Sequence, residues 1–67
     1  MNIELDDNTL LTPKELAEYL TLTPKTLEKM RRVGNGPKFK KLGRTVRYLG
    51  SDIREWLGEQ TRESTTE

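Results

Sequence analysis

The chain has 67 residues, no Cys, no His and a formal net charge of +1 at pH 7. This length allows one small domain with a thin core. The missing thiol and imidazole groups exclude disulfides, Cys or His metal ligands and a histidine base, so we expect no enzyme, no cofactor and no small-molecule ligand. No apolar run approaches the roughly 20 residues of a membrane span and no secretory signal is visible, which predicts a soluble, cytoplasmic protein.

The small net charge conceals a strong segregation of charge along the chain. Residues 1–23 hold five acids and one base, residues 24–47 nine bases and one acid, and residues 48–67 five acids and two bases. A central block this basic has a polyanion as its natural partner. A solvated face is the alternative, but the block begins at a predicted second helix, which favours nucleic acid.

Two helix starts are marked by the tetrapeptide Leu-Thr-Pro-Lys, which occurs at residues 11–14 and again at 22–25. In each copy Thr suits the N-cap and Pro the first helical position, and Thr12 forms a capping box with Glu15. The starts predict a first helix over residues 13–20, a tight turn, and a second helix over 24–33. Two helices in this layout predict a helix-turn-helix.

Apolar spacing predicts the inward faces of these two helices. The inward residues are expected to be Leu16, Ala17 and Leu20 in the first helix and Leu27, Met30 and Val33 in the second. Thr21 and Leu22 make the turn, and Gly34 is the natural C-cap of the second helix.

The segment 38–49 follows a loop rich in Gly and Pro and predicts a β-hairpin that turns at Gly43-Arg44. Phe39 and Leu42 cannot share a face on a regular strand, which implies a bulge or a strand that starts late. A third helix is then expected to begin with Ser51 as its N-cap. Its apolar stripe is Ile53, Trp56 and Leu57.

The predicted architecture is mainly α with a small β-hairpin: a winged helix-turn-helix with a two-stranded wing and a third helix. Residues 10–58 are assigned to this DNA-binding domain. Residues 1–9 form an N-terminal arm, in which Ile3 and Leu5 suit a short strand or a loose segment. Residues 59–67 form a flexible acidic tail, because they offer no apolar residue to pack.

The second helix carries a polar stripe opposite its inward face, with the spacing i, i+3, i+4, i+7. Its members are Lys25, Glu28, Lys29 and Arg32. Arg or Lys can donate hydrogen bonds to guanine, and Glu can accept one from cytosine. For Lys25 and Lys29, contact with a phosphate is as good an interpretation as contact with a base. Arg32 also suits a backbone role, and Glu28 alternatively forms a pair with Arg32. Thr26 lies nearer the core edge and suits a phosphate contact or helix packing.

The predicted hairpin supplies a second set of candidate DNA contacts, with Arg44 at its tip. The set is Lys38, Lys40, Lys41, Arg44, Thr45 and Arg47. Such a ribbon follows the flanking backbone or enters the minor groove, where Arg is favoured. The alternative is a solvated hairpin whose lysines discourage edge pairing. The aromatic residues Phe39, Tyr48 and Trp56 are expected in the core.

Two longer segments carry a family resemblance: LLTPKELAEYLTLTPKTLEKMRR and, further on, FKKLGRTVRYLGSDIREWL. Together they resemble the small winged helix-turn-helix proteins of the excisionase and AlpA type, relatives of the MerR DNA-binding domain. The resemblance covers about residues 10–58 and implies helix 2 in the major groove with the wing on the minor groove or adjacent phosphates. Members usually have Gly where this chain has Thr21, so the turn must accommodate a residue with a side chain.

The resemblance implies an excisionase (a recombination directionality factor), which binds double-stranded DNA, bends it and assists an integrase in excising a mobile element. An AlpA-like transcriptional regulator of phage or island genes is the alternative. A protein adaptor that docks on an integrase or terminase is the alternative of another class. Copies are expected to gain affinity by cooperative self-association on DNA, in the nucleoid of a prokaryote or in a phage-infected cell.

Overall fold

A computed structural model of the protein describes residues 5–61 and contains three helices and a small antiparallel sheet. The elements in chain order are β1 (Leu10–Leu11), α1 (Pro13–Leu20), α2 (Pro24–Val33), β2 (Lys40–Leu42), β3 (Thr45–Leu49) and α3 (Gly50–Gln60). This mostly helical arrangement is compatible with a winged helix-turn-helix, and the predicted fold class is confirmed. Among the described residues no helix has the length and apolar character needed to cross a membrane.

Helices α1 and α2 begin and end at the predicted residues because their signals are local. Thr12 Oγ1 accepts from the Glu15 N–H at 3.0 Å and Glu15 Oε1 accepts from the Thr12 N–H at 2.9 Å, which completes the predicted capping box. Thr23 Oγ1 accepts from the Thr26 N–H at 3.1 Å. In each helix Pro occupies the first turn, where its missing N–H costs no hydrogen bond.

The turn between α1 and α2 places a Thr where a Gly is usual. Thr21 has a left-handed backbone, with φ 59°. Its N–H donates to the Glu18 carbonyl at 3.2 Å and the Leu22 N–H donates to the Ala17 carbonyl at 2.7 Å, the two bonds of a Schellman motif. The turn therefore keeps the geometry that a Gly allows, while Thr21 carries the backbone strain of this region.

The sheet has one strand more than the predicted two-stranded wing. β1 pairs with β3 through Leu10 opposite Leu49 and Leu11 opposite Tyr48, so β3 is the central strand in the order β1-β3-β2. β1 is two residues long, too short for an alternating pattern to show in the sequence. The short strand considered around Ile3 and Leu5 is a different segment: Leu5 belongs to no strand and packs against the core, and Ile3 lies outside the described residues.

One buried cluster holds the fold together. Its fully buried members are Leu11, Leu16, Ala17, Leu27, Tyr48 and Ile53, and Leu5, Leu20, Met30, Val46 and Leu57 pack against it. The cluster joins β1, all three helices and β3, so α2 and the base of the hairpin share one core.

Two residues expected in the core are exposed instead. Val33 is 62% exposed because it lies about 120° around the helix from Leu27, the buried residue of α2. Phe39 is 42% exposed because β2 starts late, at Lys40, and leaves Phe39 before the strand at the edge of the core. The late start is one of the two solutions expected for the imperfect spacing in this strand.

The predicted N-cap of α3 at Ser51 is wrong. The helix begins at Gly50, Leu49 is the N-cap residue, and no side chain caps this end. The N-terminal segment satisfies the first N–H groups instead, because Gly50 donates to the Thr9 carbonyl at 2.8 Å and Ser51 to the Asp7 carbonyl at 3.1 Å. This close approach requires Gly50, since a Cβ there would collide with the Asp6 carbonyl.

The C-terminal end of α3 lies beyond the predicted end of the domain. The helix continues through Gly58 to Gln60, two residues into the segment expected to be a tail. Residues 62–67, the rest of the expected acidic tail, lie outside the described residues.

Candidate nucleic-acid interface

The outward face of α2 presents all the residues predicted for a recognition helix. Lys25, Thr26, Glu28, Lys29 and Arg32 are exposed and line one open surface together with Thr23. They share this face because Leu27, on the other side of the helix, is fully buried in the core. The predicted stripe is therefore continuous and open to solvent.

The stripe forms no ion pair within the part of the chain that the structure describes. Among residues 5–61 the salt bridges join Lys40 to Asp52 and Arg54 to Asp7. The alternative considered for Glu28, a pair with Arg32, is therefore not formed. Thr26 has a local role, because its N–H and its hydroxyl both lie within hydrogen-bond distance of Thr23 Oγ1.

The hairpin places its predicted contacts on two faces and at the tip. The register pairs Lys40 with Arg47 and Leu42 with Thr45, so these four residues share the face away from the core. Lys41 lies on the other face, opposite Val46, but past the edge of the core, where it is exposed.

Some hairpin residues are engaged within the protein, and others are free to act outside it. Lys40 Nζ lies 3.9 Å from Asp52 Oδ2, and Arg47 Nη1 donates to the Val46 carbonyl at 2.8 Å. Thr45 Oγ1 donates to the Leu42 carbonyl at 2.7 Å, which fixes the turn. Three exposed cations have no salt bridge among residues 5–61: Lys38, Lys41 and Arg44.

The loop between α2 and the hairpin is anchored at several points. The Gly34 and Asn35 N–H groups both donate to the Met30 carbonyl, at 2.8 and 3.1 Å, which closes the end of α2. Trp56 Nε1 on α3 donates to the Asn35 carbonyl at 3.2 Å, and Pro37 is buried. These contacts hold the hairpin at a defined position relative to α2.

Arg31 is the basic residue that sequence reasoning counted in the block but did not assign to any site. Its Nη1 donates to Tyr48 Oη at 2.9 Å, and its guanidinium carbon lies 5.9 Å from the centre of the Phe39 ring. The signal was present in the helical spacing, because Arg31 is one turn after Leu27 and only about 40° from it around the axis. Arg31 therefore faces the hairpin base.

Apart from Glu28, the exposed acids among residues 5–61 lie on α1, on α3 and in the segment before β1. Glu15 and Glu18 are on α1, while Glu55 and Glu59 are on α3. The segregation seen along the sequence is thus a segregation by structural element. The result is a cationic helix and hairpin on a domain whose two supporting helices are acidic, an arrangement suited to a polyanion.

The fold and this surface define a winged helix-turn-helix domain. A family model described as a helix-turn-helix domain matches residues 10–61 of the chain. The protein belongs to this helix-turn-helix family, which includes proteins of the AlpA and excisionase type and is typically non-enzymatic. No curated protein matches the chain. Membership of the family supports DNA binding.

Proposed function

We propose that the protein binds double-stranded DNA sequence-specifically, with α2 in the major groove. The observation that carries this proposal is the outward stripe of α2, which is exposed and forms no ion pair with any other residue of the range 5–61. Lys25, Lys29 and Arg32 supply donors to guanine O6/N7 or to phosphates, and Glu28 supplies an acceptor for cytosine N4. A helix of ten residues held by one face leaves the opposite face open to a groove.

The hairpin acts as the second DNA element in this proposal. Arg44 at the tip enters the minor groove or contacts a phosphate beside it, since the narrow minor groove has the negative potential that favours Arg. Lys38 and Lys41 contact the flanking backbone, with Lys40, Thr45 and Arg47 in supporting positions.

The biological role we propose is that of an excisionase, which bends DNA and assists an integrase in excising a mobile element. The support is the family, which includes excisionase-type proteins, together with the resemblance through residues 10–58. Cooperative binding of copies to neighbouring sites is part of this proposal, as are its MerR-like ancestry and its location at the prokaryotic nucleoid. The same family includes AlpA-type proteins, which favours a transcriptional regulator as the second candidate.

Duplex binding is tested by measuring affinity at salt concentrations from about 50 to 200 mM, on DNA from the element that encodes the protein and on unrelated DNA. Affinity should fall steeply with salt, with a slope of about 0.9 per phosphate contacted. Lys29→Ala and Arg44→Ala should each weaken binding and lower that slope by about one contact.

Arg54→Ala is the matched control for Arg44→Ala. It also removes one exposed arginine, but one that lies on α3, 3.1 Å from Asp7 Oδ1 and 2.9 Å from the Leu5 carbonyl. We expect its duplex affinity to equal that of the wild type. Two results contradict DNA binding: a duplex affinity that does not change with salt, or one that Lys29→Ala and Arg44→Ala leave unchanged. Either result favours an adaptor that docks on an integrase or terminase.

The excisionase role is tested separately by an in vitro excision assay with the cognate integrase, with and without the protein. Stimulated excision is the expected result. If the protein binds its DNA but leaves excision unchanged, the excisionase role is rejected and the transcriptional regulator takes its place.

A further inference from the structure

We propose that Arg31 is a positioning residue that fixes the orientation of α2 relative to the hairpin and makes no DNA contact itself. This inference rests on the proposed DNA binding and deepens it, because it divides the cations of α2 into those that contact DNA and one that orients them.

The contacts of Arg31 join three segments of the chain. Its Nη1 donates to Tyr48 Oη at 2.9 Å, and its guanidinium lies over the Phe39 ring at 5.9 Å. The rings of Phe39 and Tyr48 meet edge to face, with centroids 6.4 Å apart and an interplanar angle of 61°. Arg31 on α2 thus contacts Phe39, just before β2, and Tyr48 on the central strand β3.

These contacts matter for the orientation of α2 because little of this helix is fully buried. Leu27 is its only fully buried residue among those described, and Met30 packs against the core but is only partly buried. Arg31 lies one turn after Leu27 and adds a polar attachment to these two apolar ones. A third attachment on this side narrows the rotation of α2 about its own axis, and with it the directions in which Lys25, Lys29 and Arg32 point.

The chemistry of the contact suits this role. A guanidinium is planar and has its donors in a fixed fork, so a hydrogen bond and a stacked ring together define its orientation. Tyr48 is 1% exposed, and its position in β3 is set by pairing with Leu11 on β1. Tyr48 is preceded in β3 by Val46 and Arg47. Val46 pairs with Lys41 of β2, and Arg47 pairs with Lys40. The attachment therefore connects α2 to the strand that carries the wing.

A coupling experiment on duplex binding distinguishes positioning from contact. Arg31→Met and Tyr48→Phe are each measured alone and together with Arg44→Ala. If Arg31 and Tyr48 align the wing with α2, Arg31→Met weakens binding about tenfold, and Arg44→Ala then costs much less than in the wild type, because interacting sites are not additive. In the Tyr48→Phe background, Arg44→Ala should likewise cost less duplex affinity than in the wild type, although Tyr48→Phe removes no charge.

Two controls accompany this experiment. Arg32→Met removes the same charge from the neighbouring exposed residue and should be additive with Arg44→Ala to within about twofold. Thr12→Ala destabilises the fold from the distant end of α1 and should also be additive, which separates positioning from general loosening.

The proposal is overturned if Arg31→Met is additive with Arg44→Ala, or if Tyr48→Phe changes neither the affinity nor the Arg44→Ala effect. In either case Arg31 is a DNA contact like Arg32. Should Arg31→Met fail to fold, Tyr48→Phe alone decides between these outcomes.

A failure of the proposed function is recognised separately, since the wild type then shows no salt-dependent binding to any duplex. The contact itself is tested without DNA by a thermal-unfolding cycle of Arg31→Met, Tyr48→Phe and the double variant. Non-additive changes in Tm are expected, and additive ones overturn the coupling.

Discussion

Helices α1 and α2 begin with the same Thr-Pro pair, yet their exposed faces carry opposite net charge. Beyond its cap, α1 buries Leu16 and Ala17 and exposes the acids Glu15 and Glu18. Helix α2 buries Leu27 alone and exposes a cationic stripe. The cap fixes where a helix starts, whereas the residues that follow the cap decide which face is buried and what charge the other face carries. Four predictions test this division, from the largest expected effect to the smallest.

We expect the stability of the protein to depend more on Leu27 of α2 than on any side chain of α1. Leu27→Ala should lower the free energy of unfolding by about 3 kcal/mol, since it removes a fully buried leucine and leaves a cavity. Leu16→Ala should cost somewhat less, because Ala17 still anchors α1. Denaturant unfolding followed by circular dichroism measures both.

Val33→Ala is the control on the same helix. Val33 is 62% exposed, so its truncation should change stability by less than about 0.5 kcal/mol. A cost close to that of Leu27→Ala shows that Val33 is packed and that the assigned orientation of α2 is wrong.

Exchanging charge between the helices tests whether position or net charge matters for DNA. Lys29→Glu should weaken duplex affinity at least about tenfold at low salt, because it replaces a proposed DNA contact with repulsion. Adding Glu18→Lys restores the net charge of +1 but places the cation on α1. Affinity should stay as low as in Lys29→Glu, as measured by fluorescence anisotropy on a labelled duplex. Recovery to near wild-type affinity is the contrary result, and it shows that binding depends on net charge alone.

The two N-caps should differ in strength. Thr12→Ala breaks a reciprocal pair of hydrogen bonds with Glu15 and should cost about 1.5 kcal/mol, whereas Thr23→Ala breaks one bond to the Thr26 N–H and should cost about 1 kcal/mol. Only Thr23→Ala should also weaken duplex binding, because it frays the turn that carries Lys25. Thermal unfolding measures the stability of the two variants, and a binding assay measures their duplex affinity. Serine in place of either threonine should retain most of the stability and most of the affinity.

The two C-caps provide the smallest effects, with opposite signs. Thr21→Gly should stabilise the protein by about 0.5 kcal/mol, since relief of the left-handed backbone outweighs the added freedom of the unfolded chain. Gly34→Ala should destabilise by about 1 kcal/mol, although a Cβ there meets no neighbour within 4 Å. Changes in Tm of equal sign for both variants contradict a common left-handed cap.

The candidate site was predictable from the sequence to the extent that helical periodicity determines it. Spacing from Leu27 placed Lys25, Glu28 and Lys29 on the outward face, and the structure exposes all three. The assignment of Val33 to the core is wrong, and the same periodicity explains why, since it places Val33 about 120° around the helix from Leu27. Arg31 is counted in the basic block without a site, although its angle of about 40° from Leu27 places it near the buried face of α2.

Local signals in the sequence determined the two helices, the turn between them and the hairpin around Gly43-Arg44, because caps, prolines and short-range hydrogen bonds act within a few residues. Only the tertiary structure decided the rest. β1 exists because Leu10 and Leu11 pair with a strand almost forty residues away, and α3 starts at Gly50 because the backbone of residues 7–9 accepts its first N–H groups. The orientation of Arg31 likewise depends on Tyr48, 17 residues further along. Contacts between distant segments leave no periodic trace in either one, so they become visible only when the chain is folded.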